Sequence, residues 1–117
     1  MVYDLEDRTI KLSISVIELC KTIDKNIINI PIVSQLMRSA TSIGANYSEA
    51  NGGSSKRDFI NKIYICKKEA KETSYWLRLL DKTVNDKSSK DKLVLLNRET
   101  HELILIFSKI ASKTNKV

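Results

Sequence analysis

The chain has 117 residues, of which 42% are hydrophobic, 29% charged and 6% aromatic, with a formal net charge of +6. That length holds one domain, residues 1–117, with a single modest core that folds without staples. One Pro and three Gly leave few chain breaks, which argues for long helices and against a β-sandwich.

No stretch approaches the ~18 uncharged apolar residues of a membrane span. The acidic start MVYDLEDRT lacks the basic, apolar and cleavage regions of an export signal, so a cytoplasmic protein with no membrane role is expected. The positive excess permits attraction to nucleic acid or another acidic partner, and carries no information on fold. Cys20 and Cys66 have no CxxC or Cys/His spacing, and a single His cannot complete a zinc site. They read as free thiols in a reducing compartment, with an interhelical disulfide as the alternative.

In chain order, the first helix is expected over about 4–25, with Leu5, Thr9, Leu12, Val16, Leu19 and Ile23 alternating steps of three and four. Thr9 to Val16 also alternates like a strand, but the longer stripe decides for helix. Asn26 and Asn29 suit a turn, and Pro31 suits the first position of a helix over about 31–51. Its stripe is Val33, Leu36, Ala40, Ile43 and Tyr47. Gly52-Gly53 ends it, with a left-handed glycine expected there.

Ser54 or Ser55 caps a third helix over about 55–84, with Asp58 in its first turn and a stripe from Phe59 through Ile63, Cys66, Ala70, Thr73, Leu77 and Leu80 to Val84. After a polar loop, Ser88 or Ser89 caps a fourth helix over about 89–112. Its stripe is Leu93, Leu96, Thr100, Leu103, Phe107 and Ile110, widened by Ile104 and Ala111, and the tail SKTNKV is expected to fray. Four amphipathic helices with short connections predict an all-α, antiparallel up-down-up-down four-helix bundle.

Polar and charged residues off these stripes are the candidate sites. Arg38, Ser42, Asn46 and Glu49 share one face of the second helix, where they make either a binding or catalytic site or a structural polar network in which Arg38 pairs with Glu69 or Glu72. The network is preferred, because a charge between helices needs partners and the third helix offers two acids. Lys56, Arg57, Lys67, Lys71, Arg78 and Lys82 cluster on another face of that helix, a candidate nucleic-acid contact or an ordinary solvated surface. Ile10, Ile14 and Ile17 on the first helix, with Ile65, Trp76 and Leu79 on the third, exceed what one core needs and read as a subunit interface.

Catalytic and metal motifs are missing from the sequence. Glu69 and Glu72 lack the Glu-x-x-His partners of a di-metal bundle, His101 reads as a rim residue, and no Gly-x-Ser-x-Gly elbow or phosphate-cradling loop occurs. No cofactor and no enzyme are expected.

RSATSIGANYSEANGG in the second helix, then Phe59 and KKEAKETSYWLRLL in the third, resembles the four-helix-bundle proteins of the 23S rRNA intervening-sequence family. Arg38, Ala40, Ser42, Ile43, Asn46 and Glu49 match the family's second-helix motif, and Phe59, Glu69 and Glu72 match its third-helix pattern. Cys66, Lys67, Lys68 and Trp76 depart from it, in the outer faces of the third helix. The resemblance implies a small bacterial cytoplasmic protein and a ring-like homo-oligomer, a pentamer. Relatives among the accessory proteins of diversity-generating retroelements imply association with RNA or DNA and with a reverse transcriptase. The expected role is therefore a non-enzymatic, nucleic-acid-associated accessory or scaffold; the alternative is a purely structural self-assembling protein.

Overall fold

The protein, seen in a computed structural model that describes residues 3–53 and 55–115, is four helices and the turns between them: α1 (Tyr3–Thr22), α2 (Asn29–Asn51), α3 (Lys56–Asp81) and α4 (Lys87–Asn115). They lie up-down-up-down in a bundle 48 Å long and about 20 Å across, with extents of 48 × 21 × 19 Å. Each helix packs on its neighbours, and the backbones of the diagonal pairs stay apart, meeting only through side chains in the core. The α2–α3 interface is the most extensive and α1–α4 the least.

The three-four spacing becomes the core. Leu5, Thr9, Leu12, Val16, Leu19 and Ile23 are all buried, so the alternation from Thr9 to Val16 is helix and not strand. Leu36, Ala40, Ile43 and Tyr47 meet Ile63, Cys66, Ala70 and Leu77 from α3, and Leu93, Leu96, Leu103 and Phe107 from α4. Tyr47 and Phe107 pack with ring centroids 6.1 Å apart; burial pushes the Tyr47 phenol upward, partly offset by its hydrogen bond to Asn51. The buried hydroxyls of Thr9 and Thr100 return to carbonyls of their own helices, at Glu6 and Leu96, so their burial carries no open hydrogen bond. Gly44 lets α1 and α2 approach closely: a Cβ there would lie 3.1 Å from Thr9 Oγ1.

The helix ends differ from the sequence-based limits, each for a hydrogen-bonding reason. α1 stops at Thr22, because Asn26 already starts the next helix: its Oδ1 accepts from the amides of Ile28 and Asn29, and its carbonyl from Ile30. Pro31 is thus the third residue of α2, not the first, still within the first turn, where its fixed φ suits the helix. α2 ends at Gly52-Gly53, but Gly52 has φ −92° and no described glycine has positive φ. A Cβ at Gly53 would sit 3.1 Å from the Ala50 carbonyl oxygen, a tight contact that glycine avoids.

Ser55 caps α3 through the Asp58 amide, and Ser54 lies outside the described residues. α3 ends at Asp81, three residues early, where Lys90 Nζ reaches back 2.7 Å to the Asp81 carbonyl. The α4 cap is Asp86, not Ser88 or Ser89: Asp86 Oδ2 accepts from the Ser89 amide, and that bond holds the Asp86 carboxyl below its usual range. Of the tail expected to fray, residues 112–115 are helical, and 116–117 lie outside the described residues.

Candidate nucleic-acid interface

Of the polar strip on α2, only Arg38 crosses to the acids of α3. Its Nη1 lies 3.1 Å from Glu69 Oε1, its Nη2 2.6 Å from Glu72 Oε1, and its Nε donates to Gln35. All three guanidinium nitrogens are therefore occupied. Ser42 donates to the Arg38 carbonyl and Asn46 to the Ser42 carbonyl, so these two turn back on their own helix. Glu49 pairs at 3.2 Å with Lys62 instead. Beneath Arg38 a buried bond of 3.0 Å joins Thr73 Oγ1 to Ser39 Oγ.

A second arginine clamp joins the other side of the bundle. Arg8 on α1 grips Glu99 on α4 with two hydrogen bonds, of 3.1 and 2.7 Å, and reaches Glu102 at 3.2 Å. The hydrogen bond to Glu99, with the charges of both acids, raises the Arg8 pKa further. Sequence reasoning missed this clamp, although Glu99-x-x-Glu102 repeats the Glu69-x-x-Glu72 spacing.

The remaining chemical groups are committed or sealed. His101 is exposed, with Nε2 3.1 Å from Ser74 Oγ, and Ser74 Oγ also lies 2.9 Å from Asn97 Oδ1. A hydroxyl has one hydrogen, so Ser74 donates to only one of the two, and the imidazole tautomer sets which. Cys20 and Cys66 are free thiols pushed up by burial to about 11 and about 12, far from the thiolate that would react. Among the described residues no three His, Cys, Asp or Glu side chains come together as a metal site.

The large apolar residues off the core stripes divide between two surfaces. Ile10 and Ile14 are about half exposed on α1, above a shallow groove lined from α2 by Thr41, Gly44, Ala45 and Ser48. Ile14 also borders a cleft to Leu95 on α4. Ile17 is half-buried, as are Ile65 and Leu79 on α3. Trp76 packs against the core, its ring edge-on to Tyr75, and its buried Nε1 has no hydrogen-bond partner among the described residues. α1 and α3 are diagonal, so these six residues form two faces and not one.

The basic groups make a more continuous feature than their sequence positions suggest. Arg57, Lys71, Arg78 and Lys82 are exposed along α3, and no ion pair neutralises any of them among the described residues. Lys56 and Lys67 fall to one side: Lys67 is half-buried and stands one heptad before Ser74, on the flank that meets α4. In their place the solvent ridge takes in Lys68. Positions 57, 61, 64, 68, 71, 75, 78 and 82, spaced by fours and threes, are all exposed and read Arg-Asn-Tyr-Lys-Lys-Tyr-Arg-Lys. No acid interrupts them. At 1.5 Å per residue the ridge runs about 37 Å along the side of α3 away from the core. Lys68, Tyr64 and Tyr75 were missed in the sequence, where the basic face was centred toward Lys56 and Lys67 and drawn without the aromatic residues.

These features define a small antiparallel four-helix-bundle protein with two arginine-locked seams and one bare basic ridge. No helix among the described residues is long and apolar enough to cross a membrane. The chain belongs to the family described as 23S rRNA-intervening sequence protein, whose profile matches residues 3–108. It is similar, at 32% identity and a TM-score of 0.77, to a crystal structure of a protein of unknown function from the S23 ribosomal protein family of Bacteroides thetaiotaomicron VPI-5482. That match covers 95% of this chain and 98% of the other. No curated protein matches the chain.

Proposed function

We propose that this is a non-enzymatic, self-associating cytoplasmic protein that serves as a nucleic-acid-associated accessory or scaffold, binding RNA or DNA through the basic ridge of α3. The observation that carries the reading is the ridge itself: five exposed cations at helical spacing, with no acid among the positions that form it. Lysine and arginine so spaced follow a phosphate backbone without reading bases, and binding gains from the release of condensed counterions. The acids flanking its central and C-terminal parts are held by cations elsewhere, Glu69 and Glu72 by Arg38 and Asp81 by Lys90.

Self-association fits the exposed Ile10, Ile14 and Leu95. A closed ring, a pentamer by the resemblance, would repeat the ridge around its circumference and multiply its field. A reverse-transcriptase-type partner is the protein partner that the same resemblance suggests. The second reading, a purely structural self-assembling protein, is favoured by those same exposed apolar residues.

RNA and DNA binding measured across a salt series separates the two readings. Affinity should fall linearly on a log-log plot with salt, and reversing Lys68, Lys71 and Arg78 to Glu should abolish it. Binding that ignores both salt and these changes excludes the phosphate mechanism. Size-exclusion chromatography with light scattering, run on the same samples, gives the oligomeric state.

A further inference from the structure

We infer that the α3 ridge takes single-stranded rather than duplex nucleic acid, with Tyr64 and Tyr75 as base-stacking platforms set between the cations. The inference rests on the nucleic-acid reading above and names the form of the ligand. Tyr64 and Tyr75 are 46% and 54% exposed, although the bundle core has its own complete stripe. They stand eleven residues apart, three helical turns and about 16 Å, and within about 20° of the same direction around α3. Lys68 and Lys71 lie between them, and Arg57 and Arg78 extend the line at either end.

This is the pairing that sequence-tolerant single-strand binders use: cations that track the backbone, alternating with aromatic faces on which bases stack. The Tyr75 ring is held in place by Trp76, with centroids 5.0 Å apart and planes at 78°, so a base would meet a platform already oriented. A duplex keeps its base faces stacked inside and offers the ridge only phosphates. An acidic polypeptide would satisfy the cations and leave the tyrosines unused.

The test is fluorescence anisotropy with labelled oligo(U), oligo(dT) and a duplex of matched length, at two salt concentrations, for the wild-type chain and for Tyr64→Leu, Tyr75→Leu and Lys68→Glu/Lys71→Glu. Both tyrosines are surface residues, so circular dichroism should show the variants folded. The single strands should bind about tenfold more tightly than the duplex at equal salt, oligo(U) and oligo(dT) serving as RNA and DNA arms of one chemistry. Each tyrosine substitution should cost about tenfold in single-strand affinity, leaving duplex affinity and the salt slope unchanged. The double charge reversal should weaken every ligand. Trp76, touching Tyr75, should change its emission on binding oligo(U), and Tyr75→Leu should reduce that change.

Equal or tighter binding of duplex, with both tyrosine variants at wild-type affinity and the charge reversal still damaging, overturns stacking while leaving the phosphate-binding function standing. Polyglutamate competing as well as oligo(U), indifferent to the tyrosines, also overturns it. No binding of any nucleic acid at low salt overturns the inference and the proposed function together.

Discussion

The two arginine clamps look alike and hold the bundle differently. In the α2–α3 seam Arg38 faces Glu69, whose side chain is only 11% exposed; in the α1–α4 seam Arg8 faces Glu99, at 32%. The chemistry is the same, one guanidinium on a Glu-x-x-Glu pair. A carboxylate sealed between helices loses its water and depends on its cation, whereas one at the surface recovers hydration when the cation is lost. The Arg38 clamp also covers a buried hydroxyl bond and the most extensive helix interface; the Arg8 clamp spans the least extensive. The difference predicts a bundle with one tight half, α2 and α3, and one looser helix, α1.

The largest effect should come from Arg38→Met, which keeps the aliphatic stem and removes the charge. It strands Glu69, and the half-exposed geometry of Arg38 reduces the cost below that of a fully buried pair, to about 2 kcal/mol. That is a fall of roughly 8 °C in thermal midpoint, readable by circular dichroism. Adding Glu69→Gln to the same chain should restore part of the loss, since the more buried of the two stranded carboxylates is then neutral and Glu72, at 36% exposure, can reach water. A midpoint unchanged by Arg38→Met would remove the basis for calling this seam tight.

The two cysteines read the same contrast through local opening. Cys20 sits on α1, half-buried and raised to about 11; Cys66 lies in the α2–α3 core, raised to about 12, with its Sγ 3.5 Å from the Ile43 carbonyl. The lower pKa and the looser helix both favour Cys20. In the folded protein Cys20 should react with an aromatic disulfide about tenfold faster or more, followed by peptide mass spectrometry. Equal rates would mean that α1 opens no more readily than the α2–α3 pair.

Arg8→Met should cost less, about 0.5 kcal/mol, because both of its acids can return to solvent. Its effect should shrink with added salt, as that of a partly exposed pair does. A loss larger than that from Arg38→Met would reverse the ranking and show that carboxylate burial does not set the strength of the two clamps.

How much of this could be seen in the sequence follows from the range of each interaction. The core stripes repeat every three or four residues, and Leu12, Ala40, Ile63 and Phe107 announce themselves within a single turn. Arg38 was traceable to the acids of α3 because both helices carry their polar groups at regular steps and are joined by one short turn. Arg8 and Glu99 are separated by 91 residues, and no local period couples them. The helix ends were hidden for a different reason: between Asn85 and Ser89 every side chain can cap or take part in a turn, and packing selects among them. Placing the buried Ser89 toward the core leaves Asp86 to receive its amide. The ridge was half visible, since charge was counted without the aromatics that share its spacing.

The smallest effect lies where the tight half hands over to α4. Asp86 accepts the Ser89 amide at 2.9 Å and, through its carbonyl, the Lys90 amide, and its carboxyl titrates below 3.8 in the folded chain. A carboxylate lowered by folding stabilises the protein fully above its unfolded value, and that contribution fades as pH falls through the folded one. Asp86→Asn keeps a cap oxygen and removes the titration. The midpoint difference between wild type and Asp86→Asn should therefore be constant above pH 3.8 and move against the wild type as the pH drops below it, read by thermal melts in a pH series. If acid instead released the cap of α4 along with the α1–α4 seam, the Cys20 rate of the wild type would rise relative to that of Asp86→Asn at the same pH, where the thiolate fraction is the same in both. Equal Cys20 rates in the two chains at each pH, while the wild-type midpoint falls, would confine the effect to the first turn of α4, and would leave the looseness of α1 to the Arg8 clamp alone.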